Sequence, residues 1–420
     1  MTLHLAHRTV ATFRGRSGDI LKFTSGAGAY VHDQFGNRYL DLVSGYGPVI
    51  LGHRDPEFLS DFSDLLREGL HFPGYSRLHA EYLTELAAGL PGRDYLAGFF
   101  RSSSEAVSAA QRIVALHTGQ KGLIRCGFLG WHDSQMFASP RWHEPLSSSV
   151  RYRIRKEHSG WRGVSGDERP HDWIDLNLKT LADLLGRTAP RVGLMAIDAY
   201  QLELTPEVEL VEIIDLCHLH GVRVLLDETK TAGRVGDGGL LGKPGVGTPD
   251  LVVFGKAIGN GAPLSLLLFD PELEATFVDA HVGGTYGKEL SGVAAGLTTL
   301  RIMRRRKGWD LLSRVGTNIA QAINDGLSSS PLAGLCWVTP RFDGAMFDLL
   351  FRQDVVGQSD LRAGLQQSFL HEGIILLQGH PSFPTLAHEG IDPSILEEAG
   401  RAVSQSLAGA AILNATSANA

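Results

Sequence analysis

Leu251-Val252-Val253-Phe254-Gly255-Lys256-Ala257-Ile258-Gly259-Asn260-Gly261 decides the fold. An unbroken apolar run ends in a lysine with glycines on either side. A short run of this kind, bounded by turn residues, reads as a strand buried on both faces. Upstream, Val222-Arg223-Val224-Leu225-Leu226 is a second such run, and it ends in Asp227-Glu228. In open α/β sheets, ligands bind beyond the carboxyl ends of the strands. The chain therefore delivers a carboxylate and an amine to one rim.

An interior ammonium is costly to desolvate, so a lysine at such a rim tends toward a depressed pKa. Imine chemistry uses that property. An amine that condenses with an aldehyde, beside an acid that keeps a pyridine nitrogen protonated, suits pyridoxal 5'-phosphate. On this reading Lys256 forms the imine and Asp227 holds the ring nitrogen. An aspartate at a strand end is common by itself, and only the pair carries weight.

Outward from these strands, residues 60–300 alternate apolar runs with helical patterns, as a largely parallel sheet does. Candidate strands include Gly122–Arg125, Val192–Ile197, Val222–Leu226 and Leu251–Phe254, with helices at Ser104–His117 and Val208–His220. Tyr30–Leu42 alternates around a Gly36-Asn37 turn and reads as a hairpin. Residues 310–405 read as a second α+β unit, with strands near Ala345–Phe351 and Ile374–Leu377. The expected division is 1–58 as an N-terminal segment of a small domain, 59–305 as a large cofactor-binding domain, and 306–420 as the rest of the small domain. Residues 141–173 are polar and rich in Arg, His and Trp, without a period. They read as a solvated loop or as a flap over a pocket.

The chain has 420 residues, enough for two domains, and a net charge of -7. That balance does not favour nucleic acid, and no aromatic-glycine motif accompanies Arg151, Arg153, Arg155, Lys156 and Arg162. No apolar run is long enough to span a bilayer, and the N-terminus lacks a signal-peptide apolar region. Cys126, Cys217 and Cys336 are scattered and form no pair motif, which points to a reducing, cytoplasmic setting with buried thiols. Cys217-His218-Leu219-His220 has no matching second pair, so a metal site is not expected.

Ser102-Ser103-Ser104-Glu105 opens a helical pattern and fits the capping sequence S-x-x-E, with Ser102 as N-cap. It is either an ordinary helix start or a phosphate site, since a helix N-terminus offers N–H groups and partial positive charge. Trp131-His132 follows the Gly122–Arg125 strand by a short loop. The indole is either core or a plate against a flat cofactor, and the histidine alone says little. His281-Val282-Gly283-Gly284-Thr285-Tyr286-Gly287 is a glycine-rich turn whose Thr285 hydroxyl is a second candidate phosphate donor.

Together these residues resemble the class III aminotransferases of pyridoxal-phosphate fold type I, and among them the glutamate-1-semialdehyde aminomutase branch. The likeness runs from roughly Gly28 to His388. Ser102–Ala106 resembles the phosphate-binding N-S-G-T-E-A, and Trp131-His132 resembles the ring-stacking Y-H-G. Asp227–Thr231 resembles D-E-V-x-T, Phe254-Gly255-Lys256 the Schiff-base motif, and Leu386-Ala387-His388 the C-terminal S-x-A-H. The resemblance implies a large domain with a mostly parallel seven-stranded sheet between helices, and a smaller α+β domain built from both termini. It implies a Schiff base on Lys256, Asp227 at the ring nitrogen, Trp131 on one ring face and Thr229 on the other. Backbone amides near Ser103 and Ser104 would hold phosphate, and Thr285 would reach the phosphate of the other subunit of a homodimer.

The chain departs from that pattern in four places. Ser103 replaces a glycine. Lys230 stands where relatives carry Gln or Met near the cofactor's phenolic oxygen, and is read either as a cation at the cofactor or as a side chain in solvent. Asp198-Ala199 replaces Glu-Pro. His380 replaces a glutamate near the substrate, which argues for a different amine or amino acid. Tyr46 and His380 are the candidate substrate contacts, and Arg234 is a candidate for a substrate carboxylate. Amino-group transfer to a carbonyl acceptor is the leading expectation. An isomerase on the same scaffold and a non-catalytic cofactor-binding protein are the rivals.

Overall fold

The computed structural model describes residues 13–15, 18–126, 160–165, 174–175, 177–206, 208–328, 333–352, 359–377 and 380–417. The chain divides into two compact units. One comprises Met1–Tyr46, Leu51–Asp55 and Asp310–Ala420, and the other Gly47–Ile50 and Pro56–Trp309.

The first unit begins with β1 (Phe23–Ala27), β2 (Tyr30–Asp33) and β3 (Arg38–Asp41). β2 and β3 pair antiparallel across the turn at Gly36, whose φ of 86° suits glycine. The other unit follows with α1 (Pro56–Leu66), α2 (Arg77–Ala87), β4 (Leu96–Phe100), α3 (Ser103–Thr118) and β5 (Gly122–Cys126). Next come β6 (Gly160–Ser165), β7 (Ile174–Asp175), α4 (Leu178–Thr188), β8 (Val192–Asp198) and α5 (Ala199–Leu204). The unit continues through α6 (Leu210–Leu219), β9 (Arg223–Glu228), β10 (Leu251–Phe254), β11 (Ser265–Phe269), α7 (Glu274–Asp279) and α8 (Leu290–Arg305). The chain then forms α9 (Gly308–Ser328), β12 (Cys336–Arg341), β13 (Met346–Phe351), α10 (Ser359–His371), β14 (Ile374–Ile375) and α11 (Pro393–Ser417).

The large sheet has the order β4-β11-β10-β9-β8-β5-β6-β7. β5, β8, β9 and β10 are mutually parallel, while β11 and β6 run against their neighbours. The sheet is thus mixed but mostly of one direction, with eight strands among the described residues where seven were expected. β6 lies in the polar segment read as a loop or flap, and β7 comes directly after that segment. Main-chain pairing at a sheet edge needs no apolar period, so β6 and β7 left no hydropathy signal there. β12 was missed for a related reason: it carries Pro340 and pairs only with β13.

The central strands are buried on both faces, and their side chains alternate between two cores. Val224, Leu226, Val252 and Phe254 meet α2, α4, α6 and α8 on one face, where Leu78, Leu181, Ile213 and Leu297 pack. Leu225, Leu251, Val253 and Leu267 meet α3 on the other through Ala106, Val107, Ala110 and Ile113. This double burial is why the strands read as continuous apolar runs. In the other unit, Leu40, Phe347, Phe369 and Ile374 form a separate core.

Candidate active site

β8, β9 and β10 end on the same rim of the sheet. Asp198 lies opposite Asp227 on adjacent strands, and Val253 lies opposite Asp227 on the other side. The chain leaves β10 through Gly255 directly into Lys256, whose φ is 51°. A lysine in this left-handed region is uncommon and costs of order 1 kcal/mol, a strain that clusters at functional sites. Lys256 is half-buried and begins a 3-10 turn to Gly259. Asp227 is only 3% exposed. Its Oδ1 accepts from the Thr229 amide at 2.9 Å and from the Thr229 hydroxyl, which fixes the carboxylate's orientation.

Gly255 shows how closely the pieces meet. A Cβ there would lie 2.2 Å from Ser103 Oγ and 3.5 Å from Thr229 Cγ2. Ser103 thus stands against the backbone that presents Lys256. Ser265, at the first position of β11, donates to the Phe254 carbonyl at 2.6 Å and lies 3.4 Å from the Ser103 hydroxyl. Sequence reading missed Ser265; the only signal was a polar residue opening an apolar strand.

The capping pattern at α3 forms as read from the sequence. Ser102 Oγ accepts from the Glu105 amide, and Glu105 Oε2 accepts from the Ser102 and Arg101 amides, each at 2.9 Å. This sets the helix start at Ser103, so the first-turn amides of Ser103 and Ser104 point out of the helix end. Ser102, Ser104 and Thr285 line one cleft of about 480 Å³, together with Arg112, Tyr286 and Gly287. Trp131 and His132 lie outside the described residues.

Behind Asp227, the Glu228 carboxylate is wholly buried. It accepts from the Leu240 and Leu241 amides, each at 2.6 Å, and from the Thr231 hydroxyl at 2.8 Å. Burial pushes its pKa up to about 7 against the pull of those donors. Gly239, at φ 64°, passes so close that a Cβ would meet Glu228 Oε2 at 2.3 Å. Glu228 therefore ties the turn that carries Thr229 and Lys230 back onto β9. Its place beside Asp227 was visible in the sequence, but its partners twelve residues on were not.

Lys230 does not reach solvent. It is 7% exposed and forms an ion pair with Asp198 Oδ2, with its ammonium 5.5 Å from the centre of the Tyr200 ring. Arg234 is also a correction. It is 1% exposed, and its Nη2 donates to the carbonyls of Gly47 at 3.0 Å and Val49 at 3.3 Å. Burial draws its pKa down to about 9. The residue braces the Gly47–Ile50 segment, which Asn260 holds again by accepting the Ile50 amide at 3.0 Å. That backbone duty, in full burial, replaces the substrate-carboxylate role.

In the other unit Tyr46 and His380 come together: their rings meet edge to face at 5.5 Å, and Phe383 is 5.5 Å from His380. No group of three or more His, Cys, Asp or Glu residues that would hold a metal is found among the described residues.

The family model "Aminotransferase class-III" matches residues 14–133 and 204–387. The chain belongs to the class III aminotransferases. The reaction of this aminotransferase is therefore transfer of an amino group from an amine or amino acid to a carbonyl compound, with pyridoxal phosphate as cofactor. It is 28% identical over 354 residues to a 2'-deamino-2'-hydroxyneamine transaminase of Streptomyces kanamyceticus, covering 84% of this chain and 82% of that one. It is also 28% identical over 350 residues to a glutamate-1-semialdehyde 2,1-aminomutase of Bdellovibrio bacteriovorus, covering 79% of each. An omega-transaminase from Sphaerobacter thermophilus shares the fold, with a TM-score of 0.73 at 20% identity over 95% of this chain and 93% of that one. A β-phenylalanine aminotransferase from Variovorax paradoxus does so at 0.72 and 18%, over 97% and 91%.

Proposed function

We propose that this aminotransferase works through Lys256 and Asp227, with the cofactor's phosphate held at the start of α3. The observation that carries the reading is the parallel register of β9 and β10, which sets a buried carboxylate beside a strained lysine on one strand-end rim. The donor set fits the cofactor: an amine for its aldehyde, an acid for its ring nitrogen, and a serine-rich helix start for its phosphate. When bound, the cofactor supplies an electron sink that stabilises negative charge at the substrate carbon. Asp227, fixed by Thr229, holds the ring nitrogen protonated. Thr229 would lie against one face of the ring, with Trp131, outside the described residues, the candidate for the other. The serine-rich start of α3, with the backbone amides of Ser103 and Ser104, would receive the phosphate; Ser102 and His132 would stand at the cofactor site, and Lys230 near the ring hydroxyl. Lys256 Nζ would serve as the general base and acid that takes a proton from the substrate carbon and gives it back.

The protein acts as a homodimer in this reading. Leu70, Phe72, Tyr75 and Tyr286 are 57%, 38%, 60% and 63% exposed. Leu70 O accepts from the Leu290 amide, the His71 and Tyr286 rings lie 6.0 Å apart, and Lys288 Nζ is 5.3 Å from the centre of the Tyr75 ring. An apolar patch of that kind calls for a partner, and a second copy there brings its Thr285 to the phosphate. Tyr46 and His380 contact the substrate. Three buried, unpaired cysteines suit a cytoplasmic setting.

Borohydride reduction of the cofactor-loaded protein followed by peptide mapping should mark the peptide containing Lys256; a label elsewhere defeats the proposal. An amino donor alone should bleach the visible band of a transferase. The aminomutase relative keeps one rival in the test: an isomerase would exchange the substrate's α-proton with solvent and retain the band.

A further inference from the structure

The Asp198–Lys230 pair is the feature of the rim that amino-group transfer has not absorbed. Both side chains are buried, at 7% and 5% exposure, and the pair lies at the carboxyl ends of β8 and β9. Asp198 has both oxygens engaged. Oδ1 accepts from the Tyr200 amide at 3.1 Å as the N-cap of α5, and Oδ2 meets Lys230. The cap fixes the carboxylate, and the carboxylate fixes the ammonium.

A buried ion pair is a poor stabiliser, because desolvating two charges costs about what their attraction returns; apolar replacements are often neutral or better. Stability therefore does not explain why this rim holds one. Position does. The order along the rim is Ser103 against Gly255, then Lys256 just past the end of β10, then Asp227 on β9, then Asp198 with Lys230 on the β8 side. A cofactor held by its phosphate near Ser103 and by its ring nitrogen at Asp227 would leave its remaining ring edge, which carries the hydroxyl, to residues on the β8 side.

We propose that Lys230, locked by Asp198, presents a fixed cation to that ring edge and sets the protonation balance of the lysine–cofactor linkage. This rests on the assignment of Lys256 and Asp227 made above. A nearby positive charge disfavours a second one, so Lys230 makes the linkage easier to deprotonate, while Asp198 limits the effect. The charged and titratable groups around the pair are Asp227 and Glu228 on β9, Tyr200 on α5, Cys126 at the end of β5, which senses Asp198, and Lys256 beyond β10.

The test is a pH titration of the visible absorbance of the cofactor-loaded full chain. Lys230→Gln should move the midpoint up by roughly half a pH unit or more. Asp198→Asn, which leaves the cation uncompensated, should move it down. Lys230→Arg keeps the charge and should stay near the wild-type midpoint, so it separates loss of charge from loss of fold if Asp198→Asn does not accumulate. Thermal unfolding of the same loaded proteins is recorded in parallel. Unmoved midpoints together with lowered melting temperatures would make the pair a structural brace and overturn the proposal. A wild-type protein with no lysine-dependent band would instead remove the cofactor assignment, and this proposal with it.

Discussion

Replacing Gly255 by alanine should both destabilise the large unit and disturb its phosphate site, and a second substitution should separate the two effects. Gly255 has φ -165° and ψ -166°, an extended conformation that alanine adopts freely, so the cost is steric. The added Cβ would lie 2.2 Å from Ser103 Oγ, well inside contact distance, while Ser103 Cβ at 3.6 Å and Thr229 Cγ2 at 3.5 Å are ordinary neighbours. Only the hydroxyl is in the way. Overpacking of this kind costs about 1–3 kcal/mol. A unit of this size loses roughly 2–4 °C per kcal/mol, so the melting temperature of cofactor-stripped protein should fall by about 2–12 °C. Ser103→Ala removes the clashing atom, and Gly255→Ala/Ser103→Ala should recover most of the loss. The double variant should not recover cofactor affinity. It lacks a hydrogen bond to a charged group, which is worth about 1.5–3 kcal/mol, or roughly tenfold to a hundredfold in dissociation constant. Calorimetry of stripped protein and cofactor titration by absorbance give the two readouts. A single variant as stable as wild type, or a double variant no better than the single, would refute the packing argument.

Glu228, with its pKa raised by burial from 4.5 to about 7, makes the folded state hold a proton that the unfolded chain releases. Its contribution is present below about pH 4.5 and is lost as pH rises through about 7, a change on the order of a few kcal/mol; denaturation from pH 5 to 8 should show a flatter dependence in Glu228→Gln. His388 acts with the opposite sign. Burial draws its pKa from 6.5 to about 4, and its Nδ1 accepts from the Thr385 amide at 3.0 Å. Its contribution is intact above pH 6.5 and lost as pH falls through about 4, so acid unfolding of the unit containing it should be shallower in His388→Asn, which keeps an acceptor. Cys217 and Cys336 are pushed by burial to about 12 and about 11, and Cys126 is raised as well. Native protein at pH 8 should therefore resist thiol reagents, all three cysteines reacting only after denaturation; rapid labelling of folded protein would contradict the burial.

Local physics made much of this protein readable in one dimension. The β9 and β10 runs are apolar except at Arg223 because both faces of those strands are covered, so their ends, and hence Asp227 and Lys256, stood out. Ser102 and Glu105 announced the start of α3 because a capping box is complete within four residues. The resemblance to the family rested on these same segments. What the sequence left open depended on partners far along the chain. Whether Lys230 reached solvent was settled by Asp198, which β-strand register brings across from β8. Arg234 looked available for a carboxylate until the carbonyls of Gly47 and Val49 were found at its tip. Ser103 stands where the family carries a glycine; the space its hydroxyl needs is provided by the missing Cβ of Gly255. β6 and β7, the last two strands at one side of the sheet, stayed hidden because main-chain hydrogen bonds hold them there, to which side-chain hydropathy contributes nothing. Periodicity and caps are properties of neighbours in sequence, and the chain states them outright. The pairing of buried charges is a property of neighbours in space, and only the packed sheet decides it.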